Sequence, residues 1–250
     1  MGIDINKLSI NKNTPVPLYY QLKNTICSQI NSNHLQPGDI LPTELEIVNT
    51  LGISRSTVRQ AIIELVNEGY LYREKGKGTF IAKPKIEESF FQRLDSFNQE
   101  MIDKGFKPST QVLDLSVIQG HSDINRKLEL DEHEDLICLS RLRFADKDPV
   151  VFLETYLPYK NFELLLHEDF TVHSLYSVLE NTYGCRIERA VRRIDAAPAN
   201  AQEAKLLLFK LNSPIMLVRT VAYADHDTPI EYSIARYRGD RNTFTVELRR

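Results

Sequence analysis

Two short amphipathic helices separated by a glycine-containing turn constrain the fold of this chain more than any other feature. Thr43 and Glu46 have the three-residue spacing of a capping box, which predicts a helix that begins after Thr43 and ends near Leu51. Gly52 breaks that helix, and Ser54 can cap the next one, whose apolar residues recur at helical spacing. That apolar set is Val58, Ala61, Ile62 and Leu65. A turn of about four residues between two such helices indicates a helix-turn-helix.

The polar side of the second helix is suited to contacting DNA. Its polar residues lie within an arc of about 140° on the first two turns, opposite the apolar set. They are Arg55, Ser56, Arg59 and Gln60. Arginine can bond guanine, glutamine can bond adenine, and serine can bond a base or a phosphate. Because an ordinary solvated face has a similar composition, this face alone does not decide between the two interpretations.

The surrounding segments favour DNA binding. An amphipathic helix is predicted over 18–30, before the helix-turn-helix. After the second helix of the helix-turn-helix, which would be the recognition helix, two β-prone runs around a tip rich in glycine and lysine predict a hairpin. The tip residues are Lys75, Gly76, Lys77 and Gly78. Residues 54–83 contain six basic and three acidic side chains, in a chain of 250 residues with a formal charge of −3. This local charge fits a winged DNA-binding head joined to a body with another role.

The order of these motifs resembles that of the GntR family of bacterial winged-helix transcription regulators. The matching segments are 41–44, 51–61, 68–71 and 76–80. The resemblance implies that Thr43 and Glu44 lie near the DNA backbone and that the Gly-Lys-Gly tip enters the minor groove. On the recognition helix it implies DNA contacts from Ser54, Arg55, Ser56, Thr57 and Arg59. Many family members have arginine where this chain has Leu45, which puts a DNA contact at that position in doubt.

A polar, proline-containing stretch follows the wing and predicts a linker. We therefore expect a head over 1–83, a linker over 84–92 and a body over 93–250. Predicted body helices cover 91–102, 122–130, 174–183 and 198–208, the last with Pro198 near its start. Predicted strands cover 112–118, 136–144, 150–156, 187–196, 215–224, 230–237 and 244–248. Consecutive hairpins indicate an antiparallel sheet with helices packed on it, so the fold class is α+β.

The body resembles the UTRA effector-binding domain of the HutC subgroup of the same family, whose fold is similar to that of chorismate lyase. The matching segments are 94–97, 141–146, 149–150, 154–158, 174–176, 229–232 and 237–241. The resemblance implies a small-molecule effector and a homodimer. Relatives sense phosphorylated amino sugars, histidine-pathway acids, trehalose phosphate or fatty acids, so the identity of the effector stays open.

Arg141 and Arg143 are the clearest candidates for binding that effector. Residues two apart on a strand share one face of the sheet, and buried cations are costly unless they meet an anion. Pairing with Glu154 or Glu231 is one interpretation, and a phosphate or carboxylate of a bound molecule is the other. If a bound molecule supplies the anion, we expect serine hydroxyls to assist the arginines, and two glutamates and a tyrosine to bind sugar hydroxyl or amino groups. The predicted effector set is Ser96, Phe97, Arg141, Arg143, Glu154, Ser174, Glu231 and Tyr237.

Other chemistries have little support in the sequence. The body has no phosphate-binding loop, GxSxG elbow or HExxH motif, so we expect neither an enzyme nor a cofactor. The three cysteines and six histidines lack the spacing of a metal site. No apolar run approaches the roughly 18 residues of a membrane span, and the N-terminus has no secretory pattern, so we expect a cytoplasmic protein.

These observations predict an effector-responsive transcription regulator. We expect a repressor that binds double-stranded operator DNA as a homodimer and that responds to a small anionic effector, such as a phosphorylated sugar or amino sugar. Two alternatives stay open: a constitutive DNA-binding regulator whose body serves only dimerisation, and a lyase-like enzyme. The operator and the regulated genes are not encoded in any pattern of this sequence.

Overall fold

The computed structural model describes residues 10–83, 85–88 and 97–247. The chain divides into two compact units, with the division between Lys85 and Ile86. Among the described residues, no helix has the length and apolar character needed to cross a membrane.

The first unit, the head, is a winged helix. Its helices are α1 (Leu18–Asn31), α2 (Glu44–Leu51) and α3 (Arg55–Asn67), and its strands are β1 (Ile40–Leu41), β2 (Leu71–Glu74) and β3 (Gly78–Ile81). The three strands form an antiparallel sheet in the order β1-β3-β2. The three predicted helices and the predicted hairpin are therefore present, and β1 is an additional strand that the sequence patterns did not predict.

Local hydrogen bonds explain where the two helices of the helix-turn-helix begin. The Thr43 hydroxyl accepts a hydrogen bond from the backbone N–H of Glu46 at 3.3 Å, and Glu46 accepts one from the backbone N–H of Thr43 at 2.8 Å. The Ser54 hydroxyl caps α3 by accepting from the N–H of Thr57 at 3.1 Å. Gly52 ends α2 with a φ of 59°, a left-handed conformation that glycine adopts without a steric penalty. The apolar set predicted for α3 is buried in the core of the head.

The second unit, the body, is built on a six-stranded antiparallel sheet. The strands of the body, of which β4 and β11 lie outside this sheet, are β4 (Ile86–Glu88), β5 (Pro108–Ile118), β6 (Leu136–Ala145), β7 (Asp148–Pro158), β8 (Arg189–Pro198), β9 (Pro214–Tyr223), β10 (Pro229–Arg238) and β11 (Asn242–Phe244). Its helices are α4 (Phe97–Asp103), α5 (Ser122–Lys127), α6 (Tyr159–Phe162), α7 (Leu175–Tyr183) and α8 (Ala201–Leu206). The large sheet has the order β5-β6-β7-β10-β9-β8, so the predicted antiparallel α+β architecture is confirmed.

The two faces of the large sheet have different coverings. On one face, α7 packs in an apolar cluster with Ile137 and Leu139 of β6, while Met101 of α4 packs near Val218 of β9. On the other face, Leu207, at the end of α8, packs with Leu142 and Phe152. Side chains at alternate positions of β6 therefore belong to two separate layers.

Several predicted boundaries differ in the structure, and three of these differences change how the body is organised. α8 begins at Ala201, because Asn200 and Glu203 form a capping box, and Pro198 ends the preceding strand. The last strand is Asn242–Phe244, and it pairs in parallel with Ile86–Glu88; residues 245–247 of the predicted strand 244–248 are not in a strand, and residue 248 lies outside the described residues. Part of the stretch predicted as linker is thus a strand of the body, with Ile86 buried in its core. The physical reason is a pairing between segments about 150 residues apart in the chain, which local patterns do not reveal.

Candidate functional site

Most of the residues predicted to contact DNA lie on the exposed surface of the head, and Glu44 is half-buried. Arg55, Ser56, Arg59 and Gln60 of α3 are exposed, as are Thr43 and Ser54. Thr57 is half-buried, and its hydroxyl lies 2.7 Å from that of Ser54, so it serves the helix cap. Gln60 donates a hydrogen bond to Glu64 at 3.3 Å. The polar face of α3 is thus presented on the surface opposite its buried apolar residues.

The wing tip is an exposed turn between β2 and β3. Lys75, Gly76, Lys77 and Gly78 are all exposed. Gly78 has a φ of 133°, which an L side chain rarely adopts, and a Cβ there would lie 3.2 Å from Ile40 Cδ1. The ammonium group of Lys77 lies 2.9 Å from Glu74 Oε2, and this contact raises the pKa of Lys77. The tip therefore presents cationic side chains on a backbone that requires glycine.

The body contains a cavity on the sheet face that α4 and α7 cover. Side chains from β5, β6, β7, β10, β9 and β8 form its floor, and residues of α4, of α7 and of the segment before α7 form its walls. Its volume is about 120 Å³. Since a single water needs only about 10–15 Å³ by the same measure, the cavity has room for a small organic molecule.

Arg141 and Arg143 of β6 line this cavity side by side. Arg141 is 2% exposed, and its guanidinium donates a hydrogen bond to the Thr155 hydroxyl at 3.3 Å. The Nε atoms of both arginines are buried and meet no hydrogen-bond acceptor among the described residues. Burial lowers the pKa of both guanidinium groups, and for Arg141 the neighbouring charge of Arg143 lowers it further. Arg141 is buried and Arg143 is half-buried, and the unused donors of both cations have the chemistry that an anion requires.

The same cavity contains a buried carboxylate. Glu231 of β10 is 4% exposed, and its Oε2 atom meets no hydrogen-bond donor among the described residues. Burial raises the pKa of Glu231, while hydrogen bonds from Tyr176 and Ser233 and the charge of Arg141 act in the opposite direction. Burial also raises the pKa of Tyr176. The cavity therefore offers an acceptor close to its cationic donors.

Ser174 and Phe97 lie at the walls of the cavity, and Tyr237 of β10 lies at its floor. Ser174 is the N-cap of α7, and its hydroxyl accepts from the N–H of Ser177 at 3.1 Å, which leaves the hydroxyl proton available to another acceptor. The Phe97 ring lies 5.1 Å from the guanidinium carbon of Arg143, a cation–π contact. Tyr237 lines the cavity with its ring edge-on to Phe244. Ser96 lies outside the described residues.

Glu154 is the predicted effector residue that the structure does not bring to the cavity. The register pairs Arg141 with Leu153, so Glu154 of β7 points to the opposite face of the sheet. There its carboxylate lies 2.6 Å from Arg236 Nη1, and Arg236 also contacts Glu203 at 3.1 Å. The expectation that Glu154 pairs with the two cavity arginines is therefore wrong, and Glu154 does not line the cavity in which it was expected to bind the effector.

The sequence interpretation missed several residues of the cavity. They are Phe170, His173, Tyr176, Arg192, Thr220 and Ser233. Tyr176 follows the predicted Ser174 by two positions at the start of a helix, which is a signal that could have identified it. Arg192 lies on the edge strand β8 next to Arg193, and only the strand register shows which of the two faces the cavity. Among the described residues, no group of three His, Cys, Asp or Glu side chains could hold a metal ion.

A winged helix-turn-helix head and a separate body with a polar, ligand-sized cavity define a class: DNA-binding regulators that sense small molecules. Comparison with known families agrees with this class. The model of the bacterial regulatory proteins of the gntR family matches residues 18–81, and the UTRA domain model matches residues 103–243. The chain belongs to the GntR family, in the subgroup whose members carry a UTRA domain, and it is a transcription regulator rather than an enzyme.

Individual relatives match over nearly the full chain. The HTH-type transcriptional repressor NagR of Bacillus subtilis is 36% identical over 239 residues, which cover 95% of this chain and 97% of NagR. The mannosyl-D-glycerate transport/metabolism system repressor MngR of Escherichia coli is 29% identical over 238 residues, covering 94% of this chain and 97% of MngR. The crystal structure of PhnF from Mycobacterium smegmatis superposes with a TM-score of 0.66 at 28% identity, covering 90% of this chain and 99% of PhnF.

Proposed function

We propose that this chain is a repressor whose operator binding is released by a small anionic molecule held in the body cavity. The observation that carries the proposal is the pair of arginines on β6. Arg141 and Arg143 both keep a buried Nε donor without an acceptor among the described residues. An unsatisfied buried donor costs about 1–3 kcal/mol, and more when the group is charged. A bound anion would remove that cost for both side chains at once.

The chemistry of the cavity favours a phosphorylated sugar or amino sugar as the anion. Guanidinium groups bind phosphate through paired hydrogen bonds, and Ser174 adds a hydroxyl near the same wall. The free Oε2 acceptor of Glu231 suits a hydroxyl or amino group on the rest of the molecule. One relative is named the repressor of the mannosyl-D-glycerate transport/metabolism system, and mannosyl-D-glycerate is also an anionic carbohydrate, with a carboxylate as its charged group.

The DNA-binding half of the proposal rests on the exposed face of α3 and on the wing. We propose that the chain works in the cytoplasm as a homodimer that binds a pseudo-palindromic operator. Each recognition helix would enter a major groove and each wing tip the adjoining minor groove, with half-sites about one helical turn apart. The contacting residues would be Thr43, Glu44, Ser54, Arg55, Ser56, Thr57, Arg59, Gln60, Lys75, Gly76, Lys77 and Gly78. Effector binding would then be coupled to operator binding by about 1–3 kcal/mol.

The test is fluorescence anisotropy of the full chain on a labelled duplex from the region upstream of its own gene, at fixed salt. A panel of sugar phosphates, the corresponding sugars without phosphate, and organic acids is added to the complex. We expect a sugar phosphate to release the DNA while its unphosphorylated counterpart does not. Tight binding that no compound changes would refute the effector proposal and favour a constitutive regulator.

A matched pair of variants separates the cavity from general charge effects. Arg143→Gln removes a cavity cation, whereas Arg193→Gln removes an arginine that is 78% exposed and pairs with Asp195. We expect Arg143→Gln to keep operator affinity and lose the response to the compound, and Arg193→Gln to keep both. A response that survives Arg143→Gln would refute the assignment of the anion site.

A further inference from the structure

One carboxylate on the head contacts arginines from two other elements. Glu44 Oε1 accepts a hydrogen bond from Arg73 Nη2 at 3.1 Å, and Glu44 Oε2 lies 3.7 Å from Arg55 Nε. Glu44 is the first residue of α2, Arg55 is the first residue of α3, and Arg73 lies in β2 just before the wing tip. A single side chain therefore links both helices of the helix-turn-helix to the base of the wing.

The exposure of these three side chains is uneven. Arg55 is 80% exposed and Arg73 is 44% exposed, while Glu44 is 25% exposed. Exposed ion pairs contribute little to stability, so the cluster has little value as a folding device. Each guanidinium has five N–H donors, and the contacts to Glu44 use only some of them. The cluster thus presents two oriented cations with unused donors, and its net charge is +1.

We propose that Arg73 is a further contact to the DNA backbone and that Glu44 is the positioning residue that holds Arg73 and Arg55 beside each other. The two guanidinium groups bind phosphodiester oxygens flanking the groove that the recognition helix occupies. Arg73 is outside the set of residues predicted to bind DNA, and Glu44, which is in that set, acts through the two arginines instead of contacting DNA itself. The inference rests on the proposed DNA-binding surface and adds to it a contact with the phosphate backbone, which is independent of base sequence.

Substitution of Glu44 distinguishes a positioning role from a purely electrostatic effect on DNA binding. A carboxylate near a polyanion repels it, so by charge alone Glu44→Gln strengthens DNA binding. If Glu44 holds the arginines in place, the same substitution weakens binding despite removing a negative charge. The two accounts therefore predict changes of opposite sign for one conservative substitution.

The experiment measures anisotropy of the full chain on two labelled duplexes of equal length across a salt series. One duplex comes from the upstream region of its own gene and the other has a random sequence. We expect Arg73→Gln to weaken binding to both by about fivefold near 0.15 M salt and to reduce the slope of log K against log salt by about 0.9, the value for one lost phosphate contact. An unchanged slope on both duplexes would overturn the backbone contact.

The experiment also includes Glu44→Gln alone, the double variant that combines Glu44→Gln with Arg73→Gln, and a control. We expect Glu44→Gln to weaken binding, and to do so less when Arg73 is already glutamine. Tighter binding by Glu44→Gln would overturn the positioning role. Arg126→Gln is the control, because Arg126 is 74% exposed and pairs with Asp123 in the body. Thermal unfolding of each variant checks the fold. If the wild type shows no preference for the upstream duplex, the operator assignment fails, and the random duplex still tests Arg73.

Discussion

Replacing Arg143 by methionine should stabilise the protein without its ligand and abolish stabilisation by the ligand. Arg141 and Arg143 are two apart on β6, so their Cβ atoms are about 6–7 Å apart. At an effective dielectric constant of about 20, two unit charges at that separation repel by about 2–3 kcal/mol. Methionine replaces the aliphatic part of the arginine side chain and has no charge, so this repulsion disappears. The lost contact with the Phe97 ring offsets about 0.5–2 kcal/mol of the gain, and the lost attraction between Arg143 and Glu231 offsets a further part of it.

Thermal unfolding measures both effects in one assay. For a chain of this size, about 1 kcal/mol corresponds to about 2–4 °C in Tm, so we expect the ligand-free variant to unfold at the wild-type temperature or a few degrees above it. A ligand at one hundred times its Kd stabilises the wild type by about 3 kcal/mol, a shift of about 5–10 °C. We expect no such shift for Arg143→Met. Arg193→Met, on the exposed side of β8, should keep the full shift.

Two outcomes of the unfolding assay would contradict an open anion site at Arg141 and Arg143. A ligand-free Arg143→Met protein that unfolds several degrees below the wild type would show that Arg143 is satisfied within the protein. A ligand shift that persists in this variant would show that the anion binds elsewhere. Either result would refute the account of the two arginines as an open anion site.

Four further predictions concern single residues. Arg59→Ala should weaken operator binding by about 1–3 kcal/mol and leave random DNA nearly unaffected, whereas Lys77→Ala should weaken both and flatten the salt dependence, as measured by anisotropy. Glu154→Gln should lower the Tm, because it breaks the contact with Arg236 on the far face of the sheet, and should leave ligand affinity by calorimetry unchanged. Burial raises the pKa of Glu231 in the folded protein. The protonated side chain therefore stabilises the fold below about pH 4.5, and this stability is lost as the pH rises through the raised pKa. We expect the Tm of Glu231→Gln to lie above that of the wild type at pH 7 and close to it at pH 4.5.

For each of these four predictions, a specific result would contradict the reasoning. Equal losses on operator and random DNA for Arg59→Ala would remove its base-reading role, and an unchanged salt slope for Lys77→Ala would remove its phosphate contact. Weaker ligand binding by Glu154→Gln would contradict the strand register. A Glu231→Gln protein that is less stable than the wild type at pH 7 would mean that the charged carboxylate is favoured in the cavity.

The head was predictable from the sequence because its signals are local. The capping box of Thr43 and Glu46, the cap at Ser54 and the apolar spacing of α3 all act within one or two helical turns. β1 was not predictable, because a two-residue strand has no pattern and exists only through its pairing with β3. The same holds for β4, and the bounds of β11, which was predicted over 244–248, are set by its pairing with β4 across most of the body.

The candidate effector site was predictable in part. Alternation along one strand places Arg141 and Arg143 on the same face, and this follows from β6 alone. The location of Glu154 does not, because it depends on which residue of β7 stands opposite Arg141. A shift of one residue in that pairing moves a side chain to the other face, and the structure pairs Arg141 with Leu153.

The sequence by itself determined the class of protein, the helix-turn-helix and its wing, and the two arginines of the body, since each depends on residues close together in the chain. Only the tertiary structure decided that Tyr176, Arg192 and Glu231 meet those arginines in one cavity, that Glu154 instead pairs with Arg236, and that Glu44 joins Arg55 to Arg73. These contacts depend on strand register and on packing between distant segments, which short-range patterns of hydrophobicity and charge do not contain.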